Sequence, residues 1–389
     1  MTKGSFGCPF LLPQRQRAAT VQPLWEEWYA GPKSHKIIER VSMQEQFGQK
    51  NQSFEFTGSG WEYFKIWIVN LLLTIVTLGI YSAWAKVRRL QYFYRNTRLD
   101  GGSFDFHGTP QAILKGRLIA FGLLIGYNAA FEYDPMIGLG VAALLALVMP
   151  WLLMRSLRFK LYNSSYRGLR FGFAGSTGDS YRAFLLYPLL AMFTLYLLAP
   201  LAHQRIKRYQ FDNSRFGNAS FSFGAPVKGF YILYLSSLAV MLGSVLLAVA
   251  LAMMMGSGAA GAAGIISGLM LAGPFIMLVM LVAMLVVGSL FSAYMQNLVW
   301  GSTTLGPHRI FSHVSARRLL WVRVSNFIGI VLTLGLFMPF AAVRMARLQI
   351  EAMGLAVSGD LSGFVADQQL NATAAGEETA EMFDVDISF

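Results

Sequence analysis

Basic side chains beside aromatic rings are the residues of this chain whose types and spacing best suit chemistry, because guanidinium groups bind phosphate through paired hydrogen bonds. They recur at the ends of three similar apolar segments. The candidate belt for an anionic lipid headgroup or an anionic solute comprises Trp84, Lys86, Arg88, Arg89, Arg205, Lys207, Arg208 and Arg344, with Tyr81, Phe340 and Arg347 beside them. The bland interpretation, which we favour, is that the same residues are ordinary anchors at a membrane surface.

Signatures of catalysis are missing from the sequence. It contains no P-loop, no His-Glu-x-x-His and no Gly-x-Ser-x-Gly. Cys8 is the single cysteine, and no carboxylate or cysteine near His308 and His313 completes a metal site. We therefore expect no enzyme activity, no cofactor and no metal.

Membrane helices must position the belt. The chain of 389 residues is 55% hydrophobic and only 13% charged, whereas soluble domains carry about a quarter charged residues. Residues 229–308 contain no Asp, Glu, Lys or Arg, a stretch long enough to cross a bilayer at least twice. The formal charge of +12 comes from residues that flank apolar runs. The expected partners are therefore membrane lipids and a cytoplasmic or membrane protein, not nucleic acid.

The sequence matches itself at an offset of 117 residues. Phe54 falls on Phe171 and Arg88 falls on Arg205, and at an offset of 256 Arg88 falls on Arg344. This pattern predicts a tandem repeat of about 117 residues with a partial third copy. The predicted division is a loose N-terminal extension at 1–49, with Met43 as an alternative start, repeat unit 1 at 50–170, repeat unit 2 at 171–307, a partial unit 3 at 308–365 and an acidic, disordered tail at 366–389.

A shorter phrase, an asparagine followed by a turn and Phe-x-Phe, occurs three times. Apolar residues alternate on both sides of its turn, which is typical of a β-hairpin. The residues of this hairpin motif are Asn96, Phe104 and Phe106; Asn163, Phe171 and Phe173; and Asn213, Phe221 and Phe223. A degenerate fourth copy starts at Ser302, and Phe54 lies in a lone strand. Either these strands associate, or each hairpin is a separate loop with aromatic anchors.

Two membrane topologies fit the charges. In the first, four helices span the membrane, the repeated segments near 66–85, 183–202 and 327–342 are re-entrant, and all basic loops and both termini are cytoplasmic. In the second, all seven apolar runs cross and the second half is inverted. We favour the first, because the second exposes two basic loops outside. Either way, the sequence predicts an all-α polytopic membrane protein with short β-hairpins between its helices.

The stretch "FEFTGSGWEYFKIWIVNLLLTIVTLGIYSAWAKVRRLQYFYRNTRLDGGSFDFHGTP" resembles the start of the YjgN family, and "VWGSTTLGPHRIFSHV" resembles a later signature of it. The resemblance extends from about Phe54 to about Asp367 and leaves out the long N-terminal extension. It implies a multi-pass protein of the bacterial inner membrane, with no activity or functional residues assigned.

Two functions are compatible with these features. The first is transport, through a channel-like protein for a small or anionic solute. The alternative is a non-transporting membrane scaffold whose cytoplasmic hairpins bind a partner protein or anionic lipid.

Overall fold

Ten short strands form a closed antiparallel barrel in the computed structural model, which describes residues 49–255 and 261–370. The order around the barrel is β1-β10-β9-β8-β7-β6-β5-β4-β3-β2. The strands are β1 (Gln49–Phe56), β2 (Thr97–Leu99), β3 (Gly102–Phe106), β4 (Ser164–Tyr166), β5 (Leu169–Phe173), β6 (Ser214–Phe216), β7 (Ala219–Phe223), β8 (Thr303–Leu305), β9 (His308–Ser312) and β10 (Met353–Ser358). The predicted N-terminal extension up to residue 48 and the predicted tail from residue 371 lie outside the described residues.

The expected fold class, an all-α polytopic protein with short β-hairpins between its helices, is wrong, and of the two arrangements left open for the hairpins the structure has the associated one. The hairpins themselves are present, as the pairs β2–β3, β4–β5, β6–β7 and β8–β9. An isolated hairpin leaves the hydrogen-bonding groups of both edges unpaired, and each one here pairs with the next hairpin instead. The lone strand β1 pairs with β2 on one side and with β10 on the other, and so closes the circle.

Helical hairpins connect the strands at one end of the barrel. H1 consists of α1 (Gly60–Val76) and α2 (Ser82–Arg95); H2 of α3 (Pro110–Tyr133) and α4 (Pro135–Tyr162); H3 of α5 (Thr177–Tyr181), a π-helical segment (Arg182–Leu186), α6 (Tyr187–Phe193) and α7 (Ala199–Asp212); H4 of α8 (Val227–Met255) and α9 (Gly261–Gly301); and H5 of α10 (Ala316–Leu332) and α11 (Met338–Ile350). Each hairpin leaves from the end of one strand and returns at the start of its paired neighbour, as Phe56 and Thr97 show for H1. All of them therefore extend from the same rim.

Only H2 and H4 contain helices able to cross a bilayer. Within the described residues, four helices are long and apolar enough: Pro110–Tyr133, Pro135–Tyr162, Val227–Met255 and Ala272–Gly301. They contain 24 to 30 residues, which corresponds to about 36–45 Å. The helices α1 and α2 contain 17 and 14 residues, which corresponds to about 26 and 21 Å. The helices of H1 are therefore shorter than a hydrocarbon layer of about 30 Å, which the helices of H2 and H4 are long enough to cross. Because about 10 Å of each short helix lies between the barrel rim and its interfacial arginine, the short hairpins would reach only roughly halfway into that layer.

The tips of the three short hairpins turn sharply and satisfy their own backbone. In H1 the hydroxyl of Thr77 donates to the Leu73 carbonyl at 2.7 Å and accepts from the Tyr81 amide at 2.9 Å. Thr194 and Thr333 make the same pair of bonds in H3 and H5. The adjacent leucines, Leu78, Leu195 and Leu334, are highly exposed and have positive φ angles. An apolar tip with satisfied backbone groups fits insertion into lipid, as the re-entrant topology predicts.

The hairpins form a ring in chain order. Contacts join α2 to α3, α4 to α5, α7 to α8 and α9 to α10, and α11 returns to α1. Spanning and half-length hairpins therefore alternate from H1 to H5, and the two half-length hairpins H5 and H1 are neighbours. Because one closed barrel holds all four β-hairpins, these hairpins must lie on one side of the membrane, which the inverted seven-span topology does not allow.

Aromatic side chains fill the barrel. Phe104 stacks on Phe54 with ring centroids 6.0 Å apart and on Phe171 at 6.4 Å, and Phe171 contacts Phe221 at 6.4 Å. The second phenylalanines, Phe106, Phe173 and Phe223, are buried at the rim against the hairpins, where their ring neighbours are Tyr94, Tyr209 and Phe211. The Phe-x-Phe motif thus fills the lumen with its first ring and fixes the hairpins with its second.

The asparagine of each hairpin motif joins helix to strand. The side-chain amides of Asn96, Asn163 and Asn213 donate to the carbonyls of Tyr92, Phe159 and Tyr209, each at 2.8 Å. Their own carbonyls accept from the amides of Thr57, His107 and Ala174 at 2.7–2.9 Å. These residues therefore cap the helix and start the next strand pair, a structural role.

A short helix at residues 361–370, here called the plug helix, covers the barrel end away from the membrane. Leu361 and Val365 belong to the barrel core. The amide of Asn218, in the β6–β7 turn, donates to Gln368 Oε1 at 2.9 Å, and Arg167 Nη1, in the β4–β5 turn, donates to Ser362 at 3.3 Å. The predicted boundary at 365 falls inside this helix.

Exposed serines on the barrel wall offer a test of the one-sided topology. In a Cys8→Ser background, cysteines at Ser103 on β3 and Ser220 on β7 should give the same result with an impermeant maleimide, because both strands belong to one barrel. The basic belts predict that neither site labels in intact cells and that both label once the membrane is broken. Labelling of only one of the two from outside would contradict the barrel.

Acid should weaken the barrel through His308, which is fully buried on β9. Its Nδ1 accepts from the Ser358 amide at 3.2 Å, and its ring lies edge-on to Phe364 of the plug helix with centroids 4.5 Å apart. Burial lowers the pKa of His308 below its ordinary 6.5, so the unfolded chain binds the proton first. Stability is therefore complete above about pH 6.5 and falls as the pH drops below it. Melting temperatures at pH 8 and pH 5 should differ more for the wild type than for His308→Gln; equal differences would contradict this role, since His313 titrates in both.

Candidate functional site

Arginines lie at one level on the helical hairpins, on the membrane side of the barrel. Each is about two helical turns, or about 10 Å, from the helix end at the barrel rim. The arginines at this level are Arg88 on α2, Arg117 on α3, Arg155 on α4, Arg205 on α7, Arg323 on α10 and Arg344 on α11. Because guanidinium groups avoid the hydrocarbon and favour the interface, this level marks the membrane surface.

The predicted belt residues of H1 pack on aromatic rings. The guanidinium of Arg88 lies 5.7 Å from the Tyr81 ring centroid, and that of Arg89 lies 5.9 Å from the Phe93 centroid. Trp84 stacks on Tyr81 at 6.0 Å, and Lys86 is exposed. Such contacts orient the cations without neutralising them.

The belt residues of H3 are less uniform. Arg205 lies 5.9 Å from the Tyr187 ring centroid, and its Nε is buried with no hydrogen-bond partner among the described residues. Arg208 pairs with Asp212 at 3.3 Å. Burial lowers the pKa of Lys207, and the Lys160 ammonium on H2 lowers it further. Lys207 on H3 and Lys160 on H2 therefore repel each other, which favours an anion near them.

Arg344 on H5 is held by neutral partners. Its Nη1 donates to Asn326 Oδ1 at 2.7 Å, and its Nη2 donates to the Ser325 hydroxyl at 3.0 Å. Its guanidinium also lies 6.0 Å from the Phe337 ring centroid. No carboxylate in the described residues pairs with it, so its position is fixed while its charge remains available.

A groove of about 460 Å³, here called the H5 groove, lies between α10 and α11. Its lining residues are Gly60, Arg318, Val322, Phe337, Phe340, Val343, Arg344, Arg347, Leu348 and Glu351. A second groove of about 510 Å³, the H1 groove, lies between α1 and α2. It is lined by Lys65, Ile66, Val69, Arg88, Gln91, Tyr92, Arg95 and Asn96. Both volumes suit a small ligand or a lipid headgroup.

The structure distributes the predicted belt over three hairpins. Arg88 and Arg344 lie on neighbouring hairpins, whereas H2 separates the H3 residues from H1. The sequence interpretation did not include Arg318, because it lies near the start of α10 and not at the end of an apolar segment. It lies five residues before the interfacial Arg323 on the same helix, a spacing that places the two side chains on different faces, so no sequence signal pointed to it.

The arrangement can bind an anion. Guanidinium groups at a membrane surface fork onto phosphate. Within residues 49–255 and 261–370, no group of three or more His, Cys, Asp or Glu side chains could hold a metal ion. What the geometry favours is recognition of a charged group at the interface.

Comparisons with known proteins agree with a membrane location. A family model described as "Bacterial protein of unknown function (DUF898)" matches residues 51–382. The inner membrane protein YjgN of Salmonella typhimurium is 33% identical over 149 residues, which is 38% of this chain and 38% of the relative. YjgN of Escherichia coli K12 is 33% identical over 127 residues, or 32% of this chain and 31% of the relative. The matched segment thus spans well under half the length of these relatives, and no solved structure matches the chain.

The family match covers most of the chain, including the barrel, all five helical hairpins and the plug helix. The curated relatives are inner-membrane proteins by name, and four apolar helices fit that location. The chain therefore belongs to the bacterial DUF898 family, which includes the YjgN proteins, and is a multi-pass protein of the inner membrane.

Proposed function

We propose that this protein is a membrane scaffold that binds anionic phospholipid along its arginine belt and holds a filled barrel at the cytoplasmic surface. The observation that carries the proposal is the alternation of spanning and half-length hairpins below the barrel. The two spanning pairs, H2 and H4, are separated by H3 on one side and by H5 and H1 on the other. In the far leaflet the gaps between them are open to lipid.

This arrangement argues against a sealed aqueous pore in one chain. A pore needs a continuous protein wall across the hydrocarbon, and half-length hairpins supply that wall only in the leaflet nearer the barrel. The barrel above is filled by Phe54, Phe104, Phe171 and Phe221 and covered by the plug helix. Eight-stranded barrels are already filled by side chains, and much larger ones are needed for an aqueous channel.

The belt gives the scaffold its lipid preference. Arginines at the interface attract anionic headgroups, each by roughly 1 kcal/mol near the surface. The apolar tips of H1, H3 and H5 anchor the same side of the molecule in one leaflet only. Anionic lipid would therefore gather around the barrel side of the protein.

Transport of a small or anionic solute is the second candidate. One observation favours it: the hairpins surround the barrel axis, and the plug helix closes the far end of the barrel, as a gate would. Transport through the barrel would require the aromatic side chains that fill its lumen to move aside.

Reconstitution separates the two candidates. Proteoliposomes of phosphatidylcholine with phosphatidylglycerol should be as tight to a small anionic dye as empty vesicles, while the purified protein retains phosphatidylglycerol. The double substitution Arg88→Gln and Arg205→Gln should reduce that retention. The matched control is Arg98→Gln with Arg215→Gln, which removes two exposed charges from the barrel wall.

The opposite result supports transport. Protein-dependent dye flux that disappears with Arg88→Gln and Arg205→Gln, but not with the control pair, would contradict the scaffold. Retention of a protein partner in place of lipid would replace the lipid-binding part of the proposal.

A further inference from the structure

The H5 groove combines free positive charge with an apolar floor. Three guanidinium groups line it, those of Arg318, Arg344 and Arg347, against the single carboxylate of Glu351. Arg318 is exposed and makes no hydrogen bond or ion pair with the described residues. Arg347 and Glu351 are 3.8 Å apart and both about half exposed, a pair that contributes little. The groove therefore has an excess of positive charge.

The groove runs from an apolar end at the hairpin tip to a charged end at the barrel, and the Arg344 guanidinium lies where the two ends meet, 6.0 Å from the Phe337 ring centroid. Phe337, which precedes α11, and Phe340 within it lie toward the hairpin tip, whereas Arg347 and the following C-cap Glu351 lie toward the barrel. From Phe340 to Arg347 the rise along the helix is about 10 Å. A ligand that fits this order has an anionic head near the barrel and an apolar body directed into the membrane.

The apolar end is closely packed. Phe340 stacks on Phe64 at 5.5 Å and contacts Trp61 at 6.4 Å, both on α1. A Cβ at Gly60 would lie 2.6 Å from the Phe340 ring, so this close approach requires glycine. The contact between H5 and H1 thus builds one wall of the groove.

The charged end is preorganised. Asn326 and Ser325 hold Arg344 by two hydrogen bonds, which leaves its other N–H groups for a ligand. At the corresponding place in H1, Arg88 stacks on Tyr81, and the buried Oδ1 of Asn70 has no partner among the described residues. The H1 groove therefore lacks the fixed guanidinium that the H5 groove has, and binding is expected to be weaker there.

We propose that the H5 groove binds one anionic phospholipid, with its phosphate between Arg318 and Arg344 and its acyl chains over Phe337 and Phe340. This inference rests on the scaffold proposal and names the specific site within it. A free phosphate ester shares the head chemistry, but it would leave the aromatic end of the groove unused.

Native mass spectrometry of the full chain in detergent can test the site by counting bound lipid. Phosphatidylglycerol should bind with one tight site, phosphatidylcholine should not, and soluble glycerol 3-phosphate should not displace the lipid. Arg318→Gln should weaken the tight site about tenfold, as expected for a lost charge-assisted hydrogen bond. Arg318 has no described partner, so this variant should fold normally. Arg309→Gln on the barrel wall is the control of equal charge.

Other results would overturn the site. Equal binding of the two lipids, or an unchanged tight site in Arg318→Gln, removes the proposed phosphate contact. Displacement by glycerol 3-phosphate would make the groove a site for a soluble phosphate ester. If Arg88→Gln with Arg205→Gln lowers lipid retention while Arg318→Gln does not, the groove fails and the scaffold stands; if neither does, both fail.

Discussion

Replacing Phe106 by alanine is expected to lower the free energy of unfolding by about 3–5 kcal/mol, the usual loss for a buried phenylalanine. Phe106 is 2% exposed at the barrel rim. Its ring lies against Tyr94 of α2 with centroids 5.8 Å apart. The backbone at Gly108 also packs closely against this ring, since a Cβ there would lie 2.5 Å from it. We expect a cavity to remain where the ring was, and this cavity adds to the loss in the free energy of unfolding.

The measurement is thermal unfolding in detergent, with Phe121→Ala as the matched control. Phe121 is 61% exposed on the spanning helix α3, so its loss should shift the melting temperature little. A similar shift for both variants would mean that the barrel rim does not limit stability. If the barrel strands and the helical hairpins of Phe106→Ala unfold in a single thermal transition, the barrel rim and the hairpins form one cooperative unit.

The four β-hairpins could be predicted from the sequence because each carries local turn signals. In the β2–β3 turn, Asp100 and Gly101 both have positive φ angles, as a type I′ turn requires. In the β6–β7 turn only Gly217 does, which is the type II′ pattern. Local turn preferences can predict such strand pairs, because the two strands of a hairpin are only a few residues apart in the sequence.

Closure of the barrel could not be predicted in the same way. It depends on β10, "MGLAVS", which lacks the Phe-x-Phe pattern and pairs with β1 about 300 residues earlier in the chain. The sequence of Gln49–Phe56 contains no local feature that predicts its pairing with β10. The lone strand at Phe54 was the one feature that could have indicated closure, because an unpaired strand exposes edges that can pair with another strand.

The belt could be predicted, but the groove could not. Arginines after apolar segments are visible in the sequence, and Arg88, Arg205 and Arg344 do lie at one level. The H5 groove additionally needs α1 beside α11, a contact between the first and last hairpins of the ring. The sequence offsets of 117 and 256 residues indicate which helical hairpins resemble one another, but they do not indicate which hairpins are in contact. The internal repeat itself stays a prediction from sequence.

Substituting Val365 by aspartate is expected to release the plug helix from the barrel. Val365 is 4% exposed and contacts the core formed by residues such as Leu169 and Phe216. Burying it contributes about 1.5–3 kcal/mol, and an unpaired carboxylate cannot remain in that apolar lumen. Since the helix is one short segment, leaving the barrel costs less than burying the charge.

Hydrogen exchange should show this release directly. Amides of residues 361–370 should exchange at least about tenfold faster in Val365→Asp, the factor that corresponds to a loss of about 1.4 kcal/mol. Ala366→Asp is the matched control, because it places the same charge one residue further on, at an exposed position. Equal exchange in both variants would contradict the plug. If the strands stay protected while the plug opens, the barrel and its cover are separate cooperative units, and the aromatic lumen can be opened from the side away from the membrane without unfolding the barrel.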